Sequence, residues 1–481
     1  MNLRFVGHLV GVVISVVGTG ILASAGVSAI YSDPDVIHLV ISAAIAFAVG
    51  VPLFFFTRLR GRTSIGYREG FLSVGLGWIV AMVFGALPYL VCGVLGPVDA
   101  LFESMSGFTT TGASVLTDYD QPHGLFFWRS LSQWFGGMGI IVLFIAVLRP
   151  LGAGAMRLFS AEAPGPVPER LTPRIRDTAR NLWLIYAGFT VLEIVLLSVF
   201  GMDVYEAFCH AFATMATGGF STRAGGIGEF GSLPIELVLV FFMWIAGGNF
   251  ALYYAVLRGR SSRWYKNPEF RLYTAIMGVS VVVAAISLML AKSHFSAGHA
   301  FREALFQVSS LQTTTGFATA DFDVWNPFAK LLLVLLMFVG GSAGSTGGGF
   351  KVARILVLFK SIRHELTRQM HPQAVLPLKT GGRIVPEAAR VNVLGYFVLY
   401  VAIFLIGSVL VAATNVDMIT STTSVAATLN NIGPGLGLVG PMANYALMHP
   451  FAKVVLIVMM VVGRLELFSI LIPLTRAFWR R

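Results

Sequence analysis

The sequence predicts an all-α polytopic membrane protein built from four parallel, pseudo-symmetric repeats. Each repeat is a span, a short re-entrant helix and a second span, and an extra pair of spans precedes them. Three observations predict this. The 481 residues are 56% hydrophobic and only 12% charged, far from the balance of a soluble chain. About ten stretches have the ~20 apolar residues that a crossing needs. One Thr/Gly segment recurs four times, roughly 100 residues apart, a period that belongs to a unit of several elements.

The recurring segment is Phe108-Thr109-Thr110-Thr111-Gly112-Ala113-Ser114 in its first copy. The second is Ala216-Thr217-Gly218-Gly219-Phe220-Ser221-Thr222, and the third is Thr313-Thr314-Thr315-Gly316-Phe317-Ala318-Thr319. The fourth, Leu429-Asn430-Asn431-Ile432-Gly433-Pro434-Gly435, is the most divergent. Aligned on Gly112, Gly219, Gly316 and Gly433, the same upstream offset falls on Asp99, Glu206, Glu303 and Thr420. Acids and Thr suit a helix N-terminus, where they accept hydrogen bonds from unpaired amides and meet the positive end of the dipole. Each copy therefore reads as a short capped helix running into a Thr/Gly loop.

The predicted spans lie near 8–30, 36–57, 70–95, 126–148, 181–201, 233–257, 272–292, 327–350, 392–414 and 450–475. The four loops fall after the third, fifth, seventh and ninth. This divides the chain into an N-terminal pair (1–66) and repeats at 67–160, 161–262, 263–375 and 376–481. Basic residues set the orientation. Of the 34, 27 lie at Arg4, after the second span, in 149–180, 258–271 and 351–390, and at the C-terminal end. Both termini and these loops are then cytoplasmic, and the Thr/Gly loops enter from outside. Read this way, the net charge of +11 is a topology signal, not a nucleic-acid surface. Cys92 and Cys209, the two cysteines, have no metal-ligand or disulfide spacing and read as packed thiols.

Backbone that leaves a helix at membrane depth is tolerated only against protein or around a cavity. Four such loops from parallel repeats can surround one pore, where rings of carbonyl oxygen replace a cation's hydration shell. Glycine at the register position permits backbone angles that a side chain forbids. Helix C-termini aimed at the same axis add negative potential. None of the four loops contains Asp or Glu, which argues against a carboxylate-ring filter. A single copy would read as a small-residue packing seam; four copies in phase read as a filter.

From Gly340 to Gly349, six of ten residues are glycine (Gly340, Gly341, Gly344, Gly347, Gly348, Gly349) and the rest are Ser, Ala or Thr. Each glycine costs a helix up to ~1 kcal/mol relative to Ala, so the span should break here into an intramembrane loop able to block the ion path. Lys351 follows at once. Arg464 is the one basic residue well inside a predicted span, and a buried arginine is expensive. It is expected to contact the Gly340–Gly349 loop. Glu466, two positions on, points about 200° away around a helix and should not pair with it.

These features together resemble the Trk/Ktr/HKT superfamily of potassium-uptake proteins, in its bacterial TrkH branch. The resemblance covers nearly the whole chain: four loops, the extra N-terminal pair, the Gly340–Gly349 run and Gly463-Arg464-Leu465-Glu466. It implies that potassium is coordinated by backbone oxygens at Thr110 and Thr111, Thr217 and Gly218, Thr314 and Thr315, and Asn431 and Ile432. It also implies a gate at the glycine-rich run, and Gly112 implies potassium over sodium. A homodimer bound to a cytosolic TrkA-type ring of nucleotide-binding subunits is implied as well. No phosphate-binding glycine fingerprint lies in this chain, so nucleotide control would come from another polypeptide. The basic loops would equally suit anionic lipid. The competing class is a proton- or sodium-coupled symporter working by alternating access, usually built from inverted repeats; four repeats pointing one way favour a channel-like pore. No constellation for catalysis stands at membrane depth, so no enzyme and no organic cofactor is expected.

Overall fold

The computed structural model describes residues 2–58, 67–148, 175–259, 262–291, 296–371, 377–381, 383–465 and 467–479. Arg60, Arg62, Arg149, Arg157, Arg170, Arg174, Arg260, Arg480 and Arg481, used above for orientation, lie outside them, as does Glu466.

Among the described residues the fold is all-α apart from a two-residue antiparallel pairing of Lys379–Thr380 with Arg383–Ile384. Helices α1 (Leu3–Tyr31) and α2 (Val36–Phe56) are the N-terminal pair. They approach closely at Gly11 and Gly50, where an added methyl would lie 2.9 Å from the Gly50 carbonyl oxygen and 2.8 Å from Ser15 Oγ, respectively. Small residues of this kind let membrane helices pack. Repeat 1 is α3 (Tyr67–Gly85), α4 (Pro97–Phe108) and α5 (His123–Leu148). Repeat 2 is α6 (Ile175–Val199), α7 (Val204–Met215), α8 (Leu233–Ala246) and α9 (Phe250–Leu257). Repeat 3 is α10 (Pro268–Leu290), α11 (Ala297–Gln312), α12 (Pro327–Met337) and α13 (Val352–Met370). Repeat 4 is α14 (Glu387–Ala412), α15 (Met418–Leu429), α16 (Pro450–Arg464) and α17 (Leu467–Leu474).

Among the described residues, six helices are long and apolar enough to cross a membrane: α1, α2, the first helix of each of repeats 1 to 3, and α14. This is a multi-pass membrane protein. Several spans expected to be continuous are broken. The stretch 233–257 bends by 95° between α8 and α9, because Gly247 and Gly248 interrupt it and Asn249 caps a new helix, accepting from Ala251 N at 2.9 Å. The stretch 327–350 ends its helix at Met337, before the glycine run. In 450–475, α16 stops at Arg464.

The short helices fall where expected, but the offset residues are not their N-caps. The caps are Gly96, Asp203, Ser296 and Asp417, so Asp99, Glu206 and Thr420 stand in the first turn and Glu303 further in. Asp203 accepts from Tyr205 N at 2.9 Å and Asp417 from Thr420 N at 3.0 Å. Freed from capping, three of the offset residues form tertiary contacts. Asp99 pairs with Lys453 at 2.7 Å, Glu206 with Arg223 at 2.8 Å, and Thr420 Oγ1 accepts from Leu438 N at 3.1 Å.

The repeats close on themselves. The helix after each loop packs on the short helix of the next repeat: α5 on α7, α8 on α11, α12 on α15, and α16 back on α4. Loop-to-loop bonds follow the same circuit. Arg129 Nη1 donates to Ser221 O (2.9 Å), Ile227 N to Ala318 O (3.0 Å), Gly437 N to Asp323 Oδ2 (3.0 Å) and Tyr445 N to Ser114 O (2.8 Å). The four Thr/Gly loops are thereby set around one axis.

Candidate functional site

Each short helix ends in the same way. The residue two before the loop glycine lies in the left-handed region: Thr110 at φ +54, Thr217 at +55, Thr314 at +61 and Asn431 at +54. The next residue's amide reaches back five positions: Thr111 N to Ser106 O, Gly218 N to Ala213 O, Thr315 N to Ser310 O and Ile432 N to Ala427 O, all between 2.7 and 2.9 Å. The left-handed residue's own amide reaches back three. This is the Schellman arrangement, which normally puts glycine or Asn at the left-handed position. Threonine there is an outlier for a β-branched residue, a strain that persists only where surroundings over-determine it.

The loop glycines follow, again at positive φ: Gly112 +80, Gly219 +77, Gly316 +83 and Gly433 +103. An added methyl at Gly112 would collide with the carbonyl oxygen of Gly218, at Gly219 with that of Thr315, and at Gly316 with that of Ile432. At Gly433 it would lie 2.8 Å from the carbonyl oxygen of Thr111. Each glycine thus touches the main-chain oxygen that precedes the glycine of the next repeat. The circuit 1–2–3–4–1 closes, and Thr111, Gly218, Thr315 and Ile432 are brought together. All four are buried.

The Gly340–Gly349 run forms a loop against the short-helix end of this ring. Gly348 N donates to Thr314 Oγ1 at 2.6 Å. A methyl added at Gly347 would sit 3.0 Å from Thr313 O, and one at Gly348 would strike Asn430 O. Thr346 Oγ1 is bonded toward Met215 O (3.0 Å) and Ala246 O (3.1 Å), and Ser342 N donates to Gly247 O (2.8 Å). Gly340, Gly344 and Gly349 have positive φ, as does Lys351 at +72. Lys351 Nζ turns back onto Gly347 O. Arg464, buried, donates through Nη1 to Thr346 O at 2.6 Å and through Nη2 to Gly136 O at 2.8 Å. The expected contact between Arg464 and the loop is present. The loop thus bonds or packs against parts of repeats 2, 3 and 4, and Arg464 links it to repeat 1.

The sequence matches, over residues 37–478, the family described as TrkH, cation transport protein. The chain belongs to the TrkH family. It is 42% identical to the Trk system potassium uptake protein TrkH of Escherichia coli K12, over the full length of both chains. It is 33% identical to TrkG of the same organism, over 100% of this chain and 99% of that one. The crystal structure of the potassium transporter TrkH from Vibrio parahaemolyticus superposes with a TM-score of 0.91 at 39% identity, covering both chains completely.

For this TrkH-family chain, some residues that matter at the ring gave no sequence signal. Gln133 donates through Nε2 to Gly218 O at 2.6 Å and accepts from Phe220 N at 3.2 Å. His210 is buried inside α7, with Nδ1 2.8 Å from Glu206 O and Nε2 3.1 Å from Ser221 Oγ. Glu103 and Arg129 form a buried ion pair at 2.6 Å. Glu103 also accepts from Val115 N at 2.9 Å, and Arg129 lies 3.7 Å over the Phe220 ring, so the pair braces the segments that follow the first two loops. Of the two free cysteines, Cys209 is buried but Cys92 is partly exposed.

Proposed function

We propose that this chain takes up potassium across the cytoplasmic membrane of a bacterium, through a channel-like pore. The oxygens of Thr110, Thr111, Thr217, Gly218, Thr314, Thr315, Asn431 and Ile432 form its filter. The Gly340–Gly349 loop, with Lys351 and Arg464, forms its gate. The observation that carries the reading is the closed circuit in which each loop glycine abuts the carbonyl oxygen before the next glycine. Four main-chain oxygens brought together in buried surroundings suit a dehydrated monovalent cation, and four short-helix C-termini add negative potential there. The names of the relatives, potassium uptake proteins and a potassium transporter, agree with the ion.

The loop at the short-helix end suits a gate because it places two cations, Lys351 and Arg464, beside the route out of the filter. The distribution of basic residues puts both termini and the basic loops in the cytoplasm, with the N-terminal pair at 1–66 and one repeat in each of 67–160, 161–262, 263–375 and 376–481. A homodimer served by a cytosolic TrkA-type nucleotide-binding ring completes the proposal, with the basic cytoplasmic loops and C-terminus as its docking face and anionic lipid as their other contact.

The test is potassium uptake in a deficient strain, comparing wild type with Gly316→Ser. Serine must adopt φ +83 and place its Cβ against the Ile432 oxygen, so potassium preference over sodium should be lost. Unaltered ion preference would sink the filter. Electrical recordings separate a pore from a coupled symporter: pore current follows the potassium gradient with no dependence on proton or sodium gradients.

A further inference from the structure

The four repeats share one backbone but not one set of side chains, and the second loop is the poorest. The residue before its glycine is Gly218, where the other loops have Thr111, Thr315 and Ile432. In loops 1 and 3 that threonine hydroxyl lies 2.8 Å from the hydroxyl of the threonine two residues earlier, Thr109 or Thr313. In loop 2 the corresponding residues are Ala216 and Gly218, so the loop has no hydroxyl of its own at either place.

The compensating group comes from the preceding repeat. The helices after the loops align on Gly136, Ala246, Gly340 and Gly463. An added methyl at Gly136 would strike Phe108 O and one at Gly463 would strike Leu429 O, in each case the fourth residue before the loop glycine. Tyr186 and Tyr273 hydroxyls donate to the carbonyls of Trp134 and Trp244, both at 3.1 Å, which fixes repeats 1 and 2 in the same register. Three residues before the aligned positions stand Met243, Met337 and Met460, all fully buried, and in repeat 1 Gln133, equally buried. Because α5 packs on α7, the polar exception faces the depleted loop.

Resting on the filter reading above, we infer that Gln133 is a positioning residue for the second filter loop. Its carboxamide stands in for the absent side chain at Gly218 and sets the direction of the Gly218 oxygen that the ion meets. The geometry leaves no ambiguity in the amide. Gly218 O can only accept and Phe220 N can only donate, so Nε2 faces the first at 2.6 Å and Oε1 the second at 3.2 Å. These two bonds span the loop glycine, Gly219, from either side. A methyl added at Gly218 would lie 2.6 Å from Oε1 and 2.8 Å from Nε2, so the amide occupies the space a side chain there would fill. Methionine at 133 could donate nothing to that oxygen.

The exchange predicts a compensating pair. Potassium uptake with sodium as competitor would be measured in proteoliposomes holding the full-length protein, with Gly316→Ala as the reference variant. Gln133→Met should lower the preference for potassium on the order of five-fold, the factor one hydrogen bond represents. Gly218→Thr alone should also lower it, because the new side chain collides with the amide. The double variant Gln133→Met/Gly218→Thr, which gives loop 2 the residue types found at the equivalent positions Thr315 and Met243, should come closer to wild type than either single. If Gln133→Met does not fold, Gln133→Glu is read instead at alkaline pH, where the ionised carboxylate keeps the acceptor for Phe220 N and has no donor for Gly218 O. Wild-type preference in the Gln133 variant, or a double variant as impaired as the two singles combined, overturns the inference when Gly316→Ala has lost preference. If Gly316→Ala also keeps wild-type preference, the filter reading falls first and this inference with it.

Discussion

If the Gly340–Gly349 loop gates the proposed pore, replacing Arg464 with alanine should make it leak. Arg464 holds the Gly340–Gly349 loop through one charge-assisted bond, Nη1 to Thr346 O at 2.6 Å, and anchors itself on Gly136 O at 2.8 Å. A hydrogen bond to a charged group is worth about 1.5–3 kcal/mol, so losing the one that reaches the loop should favour the displaced loop by roughly 10- to 100-fold. Total stability should change less, because the same substitution removes a buried cation whose desolvation was costly. Flux, not melting temperature, is therefore the readout. The loop keeps other holds: Gly348 N on Thr314 Oγ1 at 2.6 Å, Ala343 N on Glu269 Oε1 at 2.5 Å and Ser342 N on Gly247 O at 2.8 Å. The variant should thus be leaky without standing fully open. Potassium efflux from proteoliposomes measures this, with Arg464→Lys as the graded control. Lysine keeps the charge but lacks the fork that spans two carbonyls, so its efflux should fall between wild type and alanine. Wild-type efflux from Arg464→Ala would show that the arginine anchors structure only.

Two further variants test the frame around the ring. Glu103→Ala should destabilise by about 3–5 kcal/mol, because it strands Arg129 in a site where neither side chain exceeds 2% exposure. Glu206→Ala should cost no more than about 1 kcal/mol, since its partner Arg223 is 34% exposed and solvent screens the pair. Equal melting temperatures for the two in detergent would refute the distinction. Asp417 is held below its ordinary carboxylate value of 3.8 by the Thr420 side chain and then by the Thr420 amide. Because its folded pKa is depressed, the stabilisation is complete above the unfolded value and is lost as pH falls through the folded one. Asp417→Ala should therefore cost up to about 1 kcal/mol near neutrality, and that cost should shrink as pH falls through the depressed folded pKa. A gap between the two melting curves that persists in acid would mean that the carboxylate is not its source.

The sequence reveals what the repeats have in common, and hides what each does differently. Four loop glycines stand in register, and glycine is the residue that a backbone at φ near +80 demands, so Gly112, Gly219 and Gly316 could be read directly. The left-handed residues just before them could not, since Thr110, Thr217 and Thr314 occupy a conformation threonine normally avoids. Only the closed ring of neighbours makes it tenable. Hydropathy averaged over 233–257 conceals the 95° bend, although Gly247-Gly248-Asn249 holds its local cause: two helix breakers followed by a cap. Gln133 is invisible for a different reason. Its partner Gly218 lies in the next repeat, and pairing across repeats has no local period. Once the ring is closed, the informative residues are those where a repeated position departs from its equivalents. Gln133 stands where Met243, Met337 and Met460 stand, and it touches the oxygen of Gly218, the glycine that replaces Thr or Ile in the second loop. Arg464 stands where repeats 1 and 2 have Gly137 and Gly247, glycines whose added methyls would press on Tyr186 Oη at 2.7 Å and Tyr273 Oη at 2.5 Å. In repeat 4 that place holds a cation that reaches the loop of repeat 3. A symmetric backbone can surround an ion, but a gate must sit on one side of it. On the proposed reading the two departures divide along that line: one restores the symmetry of the ring and the other breaks it.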